Sequence, residues 1–197
     1  MKNIAKALMA SALISMAATQ ANAQVGSPFI HDPSTLAECD GKWYTFGTGQ
    51  GGLVSVDGGY TWASGYQNGD ELVRAERPGG GAAPDVIKIG DRYLVSYSSN
   101  FPETEGRTKG NIINMWTKTL DHTSPDFGYS DAMLVAWAGA DDDCWAIDPA
   151  FLMGPDGRLW LSYGTYFGAI RIVELDPKTG KRVEGNVAKD IAIDCEA

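Results

Sequence analysis

The chain has 197 residues, with 16 Lys and Arg against 25 Asp and Glu and a formal net charge of −9. Such an acidic balance argues against nucleic acid, which requires a basic face, and suits neutral partners such as uncharged glycans. Abundant Gly, Trp and Tyr with almost no helical periodicity predict an all-β fold.

In chain order, Lys2 and Lys6 precede an apolar run from Ala7 to Ala18, and Ala21-Asn22-Ala23 forms a small-residue cleavage site. Residues 1–23 therefore read as a secretory signal peptide, and the mature chain starts near Gln24 with a formal charge of −11. No later run approaches the ~20 apolar residues that span a bilayer, so the expectation is a secreted or periplasmic protein without a membrane span.

The first hairpin is "DPSTLAECDGKWYTFGT" from Asp32. It runs into "GTGQGG", Gly47 to Gly52, which satisfies the dinucleotide pattern G-x-G-x-x-G. That pattern needs a helix after its glycines, whereas "LVSVDGGYTW" follows, so the segment reads as a loop. "SVDGGYTW", Ser55 to Trp62, is an Asp box, a pattern that recurs in sialidases and other propellers. Asp57 and two glycines are what a tight turn requires, so the box reads as architecture, with Asp57 on a hairpin away from any site.

"PDVIKIGDRYLVSYSS" from Pro84 is a second, shorter copy of the hairpin. "LDHTSPDFG" holds His122 in a polar loop, and two histidines without suitable spacing make no metal site. The run Asp141-Asp142-Asp143 lacks the glycine and glutamate of a calcium loop and reads as a solvated loop. "DPAFLMGPDGRLWLSYGT" from Asp148 repeats the first hairpin, and "IAIDCEA" opens a fourth copy at the end of the sequence. Cys39, Cys144 and Cys195 are an odd number, so at least one is free or is paired outside this chain.

The leading acids of the copies are Asp32, Asp85, Asp148 and Glu196, separated by roughly one four-stranded propeller blade plus loops. At the start of innermost strands they are expected to converge on one end of a central channel, with proline holding Asp32 and Asp148 in extended geometry.

On "HDPS" (His31 to Ser34), "APDV" (Ala83 to Val86), "AIDPA" (Ala146 to Ala150) and "CEA" (Cys195 to Ala197), the chain resembles glycoside hydrolase family 43, the arabinanase, arabinofuranosidase and β-xylosidase group. The resemblance implies a five-bladed β-propeller, with residues 24–197 as its N-terminal part: about three blades plus the start of a fourth. The chain alone is then expected to be inactive. The resemblance further implies inverting hydrolysis of arabinose- or xylose-containing polysaccharide, with Asp32 as general base, Asp148 orienting the acid and adjusting its pKa, and Glu196 as general acid. Around them Asp85, Trp145 and His31 are candidates for sugar binding. Ala82 stands where many members carry a tryptophan, and Trp145 is the candidate replacement platform. No cofactor is required for this chemistry, and a central-channel calcium is compatible with the whole protein. The rivals are a non-catalytic carbohydrate-binding propeller and a sialidase; the latter needs an arginine cluster that seven scattered arginines do not suggest.

Overall fold

The computed structural model describes residues 29–49, 51–64, 81–99, 109–165 and 168–193. These residues form three antiparallel four-stranded sheets and contain no helix. The first sheet holds β1 (Ala37–Cys39), β2 (Lys42–Gly47), β3 (Gly51–Ser55) and β4 (Ala63–Ser64). The second holds β5 (Ala82–Ile89), β6 (Arg92–Ser99), β7 (Asn111–Thr117) and β8 (Met133–Trp137). The third holds β9 (Ala150–Met153), β10 (Leu159–Gly164), β11 (Ala169–Leu175) and β12 (Lys189–Ile193). Every sheet is a meander in which neighbours in sequence pair.

Local chemistry sets the turns. Asp40 and Gly41 both take positive φ, 52° and 75°, and join Cys39 to Lys42 in a two-residue hairpin of the kind that matches strand twist. The glycine-rich segment is the reversal from β2 to β3, paired Gly47 to Gly51, with no helix after it. A side chain at Gly47 would lie 2.5 Å from the His31 carbonyl, so glycine lets β2 approach the segment before β1. The Asp box forms the reversal between β3 and β4. Asp57 Oδ1 accepts the Thr61 N–H at 2.9 Å and the Ser55 hydroxyl at 2.8 Å, while the Trp62 indole donates to the Gly59 carbonyl at 2.9 Å.

The three sheets stack through their faces, and β6 shows how the period of two assigns each side. Tyr93, Val95 and Tyr97 pack with Ala37, Tyr44 and Phe46 of the first sheet. Leu94 points the other way and joins Leu159, Leu161 and Val173 of the third. The turn after β11 is tied to the second sheet as well: Asn114 donates to the Gly180 carbonyl at 2.9 Å and the Trp116 indole to the Thr179 carbonyl at 2.8 Å. The acidic run is a solvent-facing loop before β9, as expected, and two of its carboxylates are also tied to a strand. Arg171, on β11, pairs with Asp143, with Asp142 at 3.7 Å and with Asp190 of β12 at 2.9 Å. Three carboxylates converge there because the guanidinium is largely withdrawn from solvent and needs several acceptors.

Candidate functional site

The inner strand of the second sheet, β5, packs against β9 on one side and against β1 and β2 on the other. At one end of this junction lies a cleft of about 310 Å³, walled by Asp32-Pro33, Ala83-Pro84-Asp85 and Asp148-Pro149. Three of the four leading acids predicted from the repeat thus line one space. The fourth, Glu196, lies outside the described residues, as do Cys195 and the leader.

The backbone in these walls differs from the extended geometry expected before proline. Asp32, Ala83 and Asp148, each followed by proline, have φ of 51°, 43° and 54°. These are left-handed conformations that cost a non-glycine residue energy and persist only where surrounding contacts hold them. The shared conformation also corrects the register of the repeat. The residue of the second sheet that corresponds to Asp32 and Asp148 is Ala83; Asp85 follows its proline and lies inside β5, just past the irregularity between Ala82 and Asp85.

Each carboxylate has its own surroundings. Asp32 is exposed on the cleft wall, with His31 Nδ1 3.0 Å from its Oδ2. The Thr48 hydroxyl donates to the same oxygen at 2.6 Å and accepts the Ala83 N–H at 2.7 Å, linking the first sheet to the second. Thr48 was not singled out from sequence, although the Gly-Thr ending shared by the two Asp-Pro hairpins was its signal. Asp148 is open to solvent at the surface, yet the walls withdraw enough water to push its pKa above the ordinary carboxylate value, and the nearby Asp32 charge adds to the rise. Asp85 is only 4% exposed. Its Oδ1 accepts the Thr35 N–H at 2.9 Å and its Oδ2 the Phe151 N–H at 2.7 Å. Trp145 is half-buried, three residues before Asp148, and is not part of the cleft lining.

Two carboxyl groups in one cleft, one of them holding its proton more tightly than an ordinary carboxyl, is an arrangement suited to proton transfer. Among the described residues no group of three or more His, Cys, Asp and Glu is placed to hold a metal ion. Cys39 and Cys144 are buried free thiols.

No family model matches the chain. It is 30% identical over 155 residues to an extracellular exo-alpha-(1->5)-L-arabinofuranosidase of Cellvibrio japonicus, covering 75% of this chain and 44% of that protein. Among solved structures, an exo-1,5-alpha-L-arabinanase from a bovine ruminal metagenomic library superposes with a TM-score of 0.68 at 31% identity, over 84% of this chain and 56% of that one. A family 43 endo-arabinanase of Bacillus licheniformis gives a TM-score of 0.64 at 29% identity, over 83% of this chain and 57% of the other. The chain spans about half the length of these relatives.

Proposed function

The chain is related to the arabinanases of glycoside hydrolase family 43, and from that premise we propose that it is part of an exported enzyme that hydrolyses arabinan with inversion at the anomeric carbon. The observation that carries the reading is the pair Asp32 and Asp148, at matching pre-proline positions ahead of the first strands of two sheets and lining one cleft.

In this reading Asp32, oriented by Thr48, takes the proton of the attacking water. Glu196 protonates the leaving oxygen from the other face of the sugar. Inversion needs the base and acid ~6.5–9.5 Å apart, with room for water between them. Asp148 orients the acid and, as a neighbouring carboxyl, helps keep it protonated near neutral pH. His31, beside Asp32, and Trp145, from outside the cleft lining, are the candidates for sugar contact, and Asp85 contributes by holding the cleft walls, since both its oxygens already accept N–H groups.

The whole protein is read as a five-bladed propeller, with residues 1–23 as leader and 24–197 as the N-terminal part of the ring. The three stacked sheets and the likeness to arabinanase structures support this. Arabinose is favoured over xylose because the relatives are named for arabinan linkages, and a secreted or periplasmic location because one of them is named extracellular. The partner is a polysaccharide, not nucleic acid. The reaction is read as requiring no cofactor; a central-channel calcium is compatible with the whole protein, and no step depends on it.

The test is proton NMR of linear arabinan treated with the full-length protein. The first sugar released is expected to carry inverted configuration. A retained anomer, or no hydrolysis, overturns the proposal.

A further inference from the structure

Thr35 and Phe151 stand at the same distance, three residues, beyond Asp32 and Asp148. Their N–H groups are the two donors to Asp85, one on each carboxylate oxygen. The second sheet thus reaches into both neighbours through one side chain, bonding the first sheet 50 residues back and the third 66 residues ahead.

The chemistry of this joint is specific. Asp85 is almost fully withdrawn from water, and no Lys or Arg pairs with it among the described residues. Its desolvation is offset by charge-assisted bonds from backbone donors. An N–H group on each side needs an acceptor on each side, which a carboxylate supplies and an amide does not: asparagine would accept one N–H and turn its own NH2 against the other. The anchored segments are those whose pre-proline residues hold φ of 51° and 54°, so they need external contacts to keep their shape.

We propose that Asp85 is a positioning residue, which sets the separation and aim of Asp32 and Asp148 by fixing both of their segments to one carboxylate. The inference rests on the reading of Asp32 and Asp148 as members of one catalytic group and deepens it. Asp85 does not touch the substrate. It acts through the backbone three residues beyond each of the two acids.

The experiment compares full-length wild type, Asp85→Asn and Thr35→Pro on linear arabinan, with circular dichroism and thermal unfolding on the same samples. Thr35 has an exposed side chain, so proline there removes one donor and leaves the carboxylate in place. Misplacement of reacting groups by ~1 Å costs on the order of 10²-fold. Asp85→Asn is therefore expected to lose about 10²-fold in kcat with KM little changed and the protein folded at the assay temperature, and Thr35→Pro to lose kcat in the same sense. Wild-type kcat in folded Asp85→Asn overturns the proposal. So does a loss of activity in both variants that merely follows the fraction of unfolded protein, which would make the joint structural only. A wild-type protein that does not cleave arabinan overturns the functional reading itself, and is distinguished by that control.

Discussion

The Thr48 hydroxyl donates to Asp32 Oδ2 at 2.6 Å, and in the same geometry accepts the N–H of Ala83 from the neighbouring sheet at 2.7 Å. One side chain therefore couples the aim of the candidate base to the seam between two sheets. In Thr48→Val the shape stays but both bonds go, leaving Asp32 with His31 as its remaining side-chain contact and the Ala83 N–H without its acceptor. Hydrogen bonds to charged groups are worth about 1.5–3 kcal/mol, so kcat/KM on arabinan should fall about tenfold or more. Thermal unfolding should show a smaller loss than the kinetics. Unchanged steady-state kinetics would remove Thr48 from the site.

Asp148 should trade stability for activity. Its pKa in the folded protein is raised, first by burial in the cleft and then by the charge of Asp32. The folded state consequently holds the proton more tightly than the unfolded chain, and the site's destabilising contribution sets in as pH rises above the unfolded carboxyl value and is complete above the folded one. Asp148→Asn should unfold at a slightly higher temperature than wild type at pH 7, by less than about 1 kcal/mol because the group is open to solvent and its repulsion is screened. The difference should vanish toward acid pH, where the wild-type carboxyl is protonated. Turnover should fall at the same time. A variant less stable than wild type at pH 7 would contradict the argument.

The proposed base and acid should separate kinetically. Asp32→Asn is expected to abolish activity on every arabinoside, by ~10²–10⁴ in rate, because water must still be deprotonated whatever group departs. Glu196→Gln should spare aryl arabinosides whose leaving groups need little protonation, while losing arabinan. Equal losses on both substrates in both variants would refute the division of roles.

Asp57 offers a control away from the cleft. Hydrogen bonds from Thr61, hydroxyl first and then N–H, pull its pKa down to about 2. A depressed carboxyl stabilises the fold above its unfolded value and loses that contribution as pH falls through the folded one. Asp57→Ala should therefore melt earlier than wild type at pH 7, with the difference shrinking from about pH 4 to pH 2. Activity per folded molecule should be unaffected, since the turn lies between β3 and β4. Melting curves at several pH values check this.

Export should remove the leader after Ala23. Intact-mass analysis of the secreted protein is expected to show Gln24 as its first residue; a retained Met1 would contradict the reading of Lys2, Lys6 and the Ala21-Asn22-Ala23 site.

Much of this protein was legible locally. The apolar run of β6 after its Gly-Asp turn, Asp40-Gly41 between two strands and the Asp box from Ser55 are patterns confined to a few neighbours, and such patterns specify strands and turns without knowledge of the rest. The recurrence of Asp-Pro before an aromatic hairpin located Asp32 and Asp148, because one covalent pattern produces one local shape wherever it occurs. What sequence could not supply were relations between residues far apart in the chain. The register that equates Ala83, not Asp85, with the two aspartates became visible only in the shared left-handed φ, since proline alone suggested the opposite conformation. The bonds of Asp85 to Thr35 and Phe151, and of Thr48 to Ala83, cross between sheets. Arg171 likewise pairs with Asp142 and Asp143 of a loop that stays solvent-facing, a partner that no local pattern reveals. Their physical origin is the stacking of the sheets: burial brings donors and acceptors within bonding distance and penalises any left unpaired, and that requirement arises only once the faces have met.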